Sequence, residues 1–136
     1  MKKIFFDTNF LVDYLLREQY FKICTEILEK LTEINALLYI NSISVTNFAY
    51  IARKLPKPEL NKLLSKILSI FELASNNKED FLSVITMNVP DFEDGLQYQT
   101  ALANDCDFII TRNQKDFEFS KIPVLSASEF LEKHLS

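Results

Sequence analysis

The sequence predicts a three-layer α/β/α sandwich with a mostly parallel central sheet of about five strands. Three observations carry that prediction. Short runs that are apolar on both faces alternate with longer segments whose apolar residues recur every three or four positions, the pattern of βαβ units. No linker, low-complexity tract or internal repeat divides the 136 residues, so they read as one domain spanning 1–136. The single glycine, Gly95, suits a chain built mostly of helix.

The first strand is Lys3-Ile4-Phe5-Phe6, ended by Asp7. From Tyr20 the period changes: Phe21, Cys24, Ile27, Leu28, Leu31 and Ile34 mark one face of a helix. Ala36 to Ile40 reads as a second buried strand, broken by Asn41-Ser42, with a helix from about Ser44 to Arg53. Pro56 and Pro58 separate that helix from the next, whose stripe is Leu60, Leu63, Leu64, Ile67, Leu68 and Phe71. Phe71 to Ala74 makes a short third strand. Asn76 with Glu79 resembles a capping box before a helix over Phe81 to Met87. Pro90 opens a helix that runs to about Asn104. Asp107 to Thr111 forms the fourth strand, and Ile122 to Leu125 the fifth, where Pro123 implies a sheet edge. Ser126-x-x-Glu129 caps a C-terminal helix.

Composition excludes several classes of function. With Gly95 alone there is neither a G-x-G-x-x-G turn nor a P-loop. Cys24 and Cys106 lie far apart and the one histidine, His134, is nearly C-terminal, which leaves no zinc spacing, disulfide framework or histidine-based triad. Both cysteines read as small buried hydrophobes. No apolar run approaches the ~18–20 residues of a membrane span, and Asp7 interrupts the run after Lys2-Lys3 that would otherwise begin like a signal peptide. The expectation is a soluble, cytoplasmic protein without a membrane partner. A net charge of −4 rules out a uniformly basic nucleic-acid coat but is compatible with a basic rim beside an acidic metal site.

In a parallel sheet, the C-terminal ends of the strands and the first turns of the following helices share one edge, where α/β proteins bind ligands. Asp7 falls on that edge, as do Asn47, Asp91, Asp94, Thr111, Arg112, Asn113 and Asp116. Most of these residues offer carboxylate or amide oxygen. Clustered carboxylates repel one another, so a hard cation such as Mg²⁺ or Mn²⁺ is their natural neutraliser, and two carboxylates plus water suffice to hold it. Asp91 also has an ordinary explanation as a helix N-cap, and Asp107, on the opposite edge, reads as structural.

These motifs, in order, resemble the PIN-domain family. Phe6-Asp7-Thr8-Asn9-Phe10-Leu11-Val12 resembles its opening motif, Asp94-Gly95-Leu96 with Ala101 its third, and Ile109-Ile110-Thr111-Arg112-Asn113 with Asp116-Phe117 its fourth. Ile122 to Ser126 resembles its closing segment. Small bacterial members are commonly VapC-type toxins of toxin–antitoxin pairs. The resemblance therefore implies an endoribonuclease dependent on Mg²⁺ or Mn²⁺ that hydrolyses RNA phosphodiester bonds to 5′-phosphate and 3′-hydroxyl ends, with an antitoxin protein as partner. Asp7 and Asp94 would be direct or water-mediated metal ligands, Asp116 a further catalytic carboxylate, and Asn9 and Asp91 supporting groups. Thr8 and Thr111 would supply hydroxyl contacts, with Asn113 in the outer shell.

Two positions depart from the family pattern. Asn47 stands where the second motif usually carries glutamate, and Asn113 where the fourth often carries aspartate. Losing two negative charges implies one weakly bound metal. It keeps open a catalytically reduced PIN domain that binds RNA or a protein partner without cleavage. Arg112, Lys115 and Arg53 are the cations expected to hold RNA phosphates, and Tyr98 is a candidate for stacking a base. The stripes over Phe21–Ile34 and Leu60–Phe71 either pack on the sheet or form a homodimer face.

Overall fold

The computed structural model describes residues 2–135. Five parallel strands, β1 (Lys3–Phe6), β2 (Leu37–Asn41), β3 (Glu72–Ala74), β4 (Phe108–Ile110) and β5 (Val124–Leu125), pair in the order β3-β2-β1-β4-β5. The helices among the described residues are α1 (Thr8–Leu16), α2 (Glu18–Glu33), α3 (Ser42–Ile51), α4 (Lys57–Ile70), α5 (Lys78–Met87), α6 (Phe92–Ala103) and α7 (Ala127–His134). A 3₁₀ turn, Gln114–Phe117, lies between β4 and β5. The architecture is the α/β/α sandwich expected from the alternation of strand and helix patterns.

Strand β1 explains how the layers divide. It is the central strand, with Ile4 opposite Leu38 of β2 and Phe108 of β4. Successive side chains of a strand point to opposite faces. Ile4 and Phe6 accordingly join Leu38, Ile40 and Ile110 in one core, under α1, α2, α4 and α7. Phe5 and Ile109 point the other way and pack with Tyr98 and Ala101 of α6 and with Phe117. A strand buried on both sides must be apolar at every position, which is why β1 reads as an unbroken apolar run. The stripe of α2 feeds the larger core through Cys24, Ile27, Leu28 and Leu31, while Phe21 and Ile34 at its ends stay about half exposed. The α4 stripe buries Leu60 and Ile67 there too.

Four local expectations change. Helix α1 was not legible, because Phe10 to Tyr14 are all buried and a helix covered on nearly every side shows no 3.6-residue period. The capping box of α5 sits one residue later than expected. Asn77 accepts from the Asp80 backbone N–H at 3.0 Å, and the Asn77 N–H donates to Asp80 Oδ2 at 2.9 Å. Asn76 is instead turned inward, accepting from Asn41 Nδ2 at 2.6 Å and donating to Thr100 Oγ1 at 3.1 Å. Helix α6 begins at Phe92 with Asp91 as its cap, two residues beyond Pro90. Strand β4 is shorter at both ends than the run from Asp107 to Thr111. Asp107 is structural, as expected, with its Oδ2 accepting from the Lys3 N–H at 2.9 Å where β1 starts.

Gly95 serves packing rather than a turn. A Cβ placed there would meet Val84 Cγ1 at 2.5 Å and Val89 Cγ2 at 2.8 Å, so the glycine lets α6 approach α5. Valine side chains are stiff and yield little. Gly95→Ala should therefore lower stability by about 1–3 kcal/mol despite alanine's better helix propensity. Thermal melting followed by circular dichroism checks this; an unchanged or raised midpoint would show that the two helices have room to separate.

Cys24 and Cys106 are buried and unpaired, and burial pushes both thiols up to about 12. They are inert packing groups. No helix among the described residues is long and apolar enough to cross a membrane.

Candidate active site

Strand order reverses at β1: β2 lies on one side of it and β4 on the other. The chain leaving β1 and the chain leaving β4 diverge there, which opens a crevice at the C-terminal edge. Asp7, the residue after β1, stands at its floor with only 4% of its surface exposed. Thr111, the residue after β4, donates from Oγ1 to Asp7 Oδ2 at 2.8 Å, and Asn9 Nδ2 donates to the same oxygen at 3.3 Å. Burial raises the Asp7 pKa above its ordinary value, and these hydrogen bonds pull against that rise.

Helix α6 supplies the facing wall. Asp91 caps it, accepting from the Asp94 backbone N–H at 2.9 Å. That bond aligns the first turn so that Glu93 and Asp94 enter the crevice, with Gln97 one turn further along. Asp116, in the 3₁₀ turn after β4, closes the rim. From the opposite side comes Asn47 of α3, whose Nδ2 donates to Glu93 Oε1. Asp7, Thr8, Asn47, Asp91, Glu93, Asp94, Gln97 and Asp116 all border one open cavity of about 460 Å³. Thr8 is held to α3 by a 2.7 Å bond from its Oγ1 to Ser44 Oγ.

The electrostatics of this cavity are one-sided. Five carboxylates line it, and no ion pair among the described residues involves any of them. Asp94 is pushed up to about 7, first by burial and then by the negative fields of Asp91, Asp7, Asp116 and Glu93. Glu93 is raised by burial and by Asp91, with the Asn47 hydrogen bond opposing. Asp7 and Asp94, from opposite ends of the chain, feel each other directly.

Hard anionic oxygens with no protein cation are the donor set that suits Mg²⁺ or Mn²⁺. Among the described residues no three acidic, histidine or cysteine side chains stand close enough to form a ready-made cage. That is compatible with Mg²⁺, which keeps several waters and uses only one or two carboxylates. The residues fit such an ion.

Comparison with known proteins decides the family: the PIN domain matches residues 3–115. The chain belongs to the PIN-domain family. Among its relatives is Ribonuclease VapC1 of Aquifex aeolicus, 28% identical over 138 residues, covering 97% of this chain and 95% of that protein. The fold is similar to that in the structure of VapBC2 from Rickettsia felis bound to a promoter DNA fragment, with a TM-score of 0.70 at 21% identity over 91% of this chain and 97% of the other. It is also similar to that in the structure of FitAcB from Neisseria gonorrhoeae, with a TM-score of 0.69 at 18% identity over 92% of this chain and 98% of the other.

Within this PIN domain, the residues singled out in the sequence divide into groups. Asp7, Thr8, Asn9, Asn47, Asp91, Asp94 and Asp116 border the cavity. Thr111 lies behind it, acting through its bond to Asp7. Asn113 is exposed and does not line the cavity; its backbone N–H donates to Thr111 Oγ1 at 3.1 Å, so it steadies Thr111 rather than facing the carboxylates. Tyr98 is a core residue, 4% exposed, and not a stacking surface.

Of the three expected phosphate-binding cations, two sit near the site. Lys115 borders a groove that shares Asp91, Asp94 and Asp116 with the cavity. Arg53 lies over the ring of Tyr50, itself a cavity residue, at 4.1 Å. Arg112 is committed elsewhere. Its Nε and Nη2 hold both carboxylate oxygens of the buried Asp13 at 3.0 and 3.1 Å, and its guanidinium lies 5.1 Å from the Tyr20 ring centroid. The pair borders a separate small cavity of about 140 Å³ between α1, α2 and the start of α7. Arg112→Ala should therefore act on stability, lowering it by about 1–3 kcal/mol because a buried carboxylate loses its main partner. Calorimetric melting compared with RNA affinity separates the roles. Weaker RNA binding at unchanged stability would return Arg112 to the substrate.

Sequence reading missed Glu93 and Gln97. Glu93 alters the charge account, since a carboxylate from α6 meets Asn47 where the family's glutamate is absent. The available signal was the four-residue spacing of Glu93 and Gln97, which places both on one face of a helix beginning at Asp91.

Proposed function

We propose that this PIN domain is a divalent-metal-dependent endoribonuclease and the toxin of a toxin–antitoxin pair. The observation that carries the proposal is the meeting of Asp7 and Asp94 in one cavity without a cationic partner. A bound Mg²⁺ or Mn²⁺ would polarise the scissile phosphate and lower the pKa of an attacking water.

The chain's own residues prepare for this. Thr111 and Asn9 hold Asp7 in one orientation, and the Asp91 cap fixes the turn that carries Glu93 and Asp94. Asp116 contributes further negative charge at the rim. Lys115 and Arg53 are placed to hold RNA phosphates on either side, where their contribution depends on salt. Partnership with an antitoxin is supported by the likeness to VapBC and FitAB assemblies. The test is cleavage of RNA by the purified protein with Mg²⁺, with Mn²⁺ and with chelator. Cleavage with metal and none with chelator supports the proposal, and cleavage indifferent to chelator refutes it.

A second reading, binding of RNA or a protein without cleavage, is favoured by Asn47 in place of the family glutamate. It gains if the protein neither cuts RNA nor takes up Mn²⁺ at millimolar concentration.

A further inference from the structure

Gln97 is an anomaly in the cavity wall. Its side chain is 2% exposed, yet Oε1 has no hydrogen-bond partner. Buried carbonyl oxygens are almost always satisfied, and an orphan calls for a specific explanation. The surroundings withhold one. Ionised carboxylates only accept, and Asp7, Glu93 and Asp94 surround this stretch of α6. The neighbouring donors are already engaged: Asn9 Nδ2 with Asp7, Asn47 Nδ2 with Glu93, and the Thr8 hydroxyl with Ser44. Exchanging the amide's two ends offers no relief. The Gln97 amide lies beside the Asp7 carboxylate and favours its ionised form, so the exchange would set oxygen against oxygen.

What Oε1 lacks is a donor small enough for the cavity and tolerant of a crowd of carboxylates. Water on a divalent cation has this chemistry, because the ion neutralises the carboxylates and the metal-bound water points its hydrogens outward. We infer that Gln97 is a positioning residue of the metal centre, its amide N–H side steadying Asp7 and its Oε1 accepting from a water carried by the bound cation. The inference rests on the metal-dependent reading above and adds to it a group outside the carboxylate set. Outer-shell partners of this kind commonly set ~10–100-fold in metal affinity.

The experiment is Mn²⁺ titration calorimetry, alongside melting of the metal-free protein, for the wild type, Gln97→Met and Gln97→Glu. Gln97→Met removes the orphan acceptor and keeps an apolar stem, so the metal-free protein should melt no lower than wild type while Mn²⁺ affinity falls about 10-fold or more. Gln97→Glu keeps an acceptor and adds charge, so Mn²⁺ binding should persist while the metal-free protein melts lower. A merely structural glutamine would behave oppositely in Gln97→Met, with lower melting and unchanged Mn²⁺ affinity, and that result overturns the inference. If Gln97→Met fails to fold, loss of Mn²⁺ binding in Gln97→Glu does the same. Absence of Mn²⁺ uptake by the wild type would instead remove the metal-dependent reading, and the inference with it.

Discussion

Asp7→Asn and Asp94→Asn are each expected to reduce metal-dependent RNA cleavage by more than about 100-fold. Loss of an outer-shell partner alone commonly costs ~10–100-fold in metal affinity or activity, and these two carboxylates are the assigned inner contacts. Both substitutions keep side-chain shape, which separates chemistry from folding. Asparagine at position 7 can still accept from Thr111 through its oxygen, and a neutral amide is less costly to bury than a carboxylate. The variants should therefore melt at or above the wild-type temperature while losing activity. Single-turnover cleavage with saturating Mn²⁺, measured beside circular dichroism melts, checks both halves. Full activity in either variant would place the reaction elsewhere.

The second large effect is on pH-dependent stability. Asp94 sits at about 7 in the folded protein against an ordinary 3.8, raised by burial and by its acidic neighbours. Between those values the folded protein keeps a proton that the unfolded chain has released. The folded state binds more protons, so stability falls as pH rises. The penalty is absent below the unfolded value and complete above about 7. Glu93 and Asp7 are shifted in the same direction, so the cluster titrates as a group. The metal-free protein should therefore melt at progressively lower temperature as the pH rises from about 5 to 8. Asp94→Asn should flatten that slope and stabilise the metal-free protein at the upper end by about 1 kcal/mol, allowing for solvent screening of this partly exposed group. Mn²⁺ should restore the loss, bind more tightly at higher pH and release protons as it binds. A wild-type melting curve that rises through the same range, with Asp94→Asn superimposed on it, would contradict this picture.

The fold was largely legible because the sheet is buried on both faces. Strands such as Ile4-Phe5-Phe6 and Phe108-Ile109-Ile110 stand out as apolar runs among helical stripes, and alternation of the two implies parallel pairing. Helix α1 was hidden for the same reason, since burial on nearly every side erases the period. The site was legible where local sequence decides the position: Asp7 must end β1, and Asp94 must lie in the first turn of α6. It was not legible where tertiary contacts choose among equals. Nothing in the order of residues says that Arg112 turns toward Asp13 while Lys115 stays near the carboxylates. Nor does it say that Asn47 meets Glu93, a contact between α3 and α6 that only the folded sheet brings together. Gln97 is the extreme case, because its significance lies in one oxygen lacking a partner. That is a property of packing alone.

Anomalous diffraction from crystals soaked in Mn²⁺ tests the central claim most directly. The account predicts a strong manganese peak between the carboxylates of Asp7 and Asp94, and its disappearance in Asp7→Asn. A cavity still empty at saturating Mn²⁺, or a peak bound only to surface carboxylates away from β1 and α6, would contradict it.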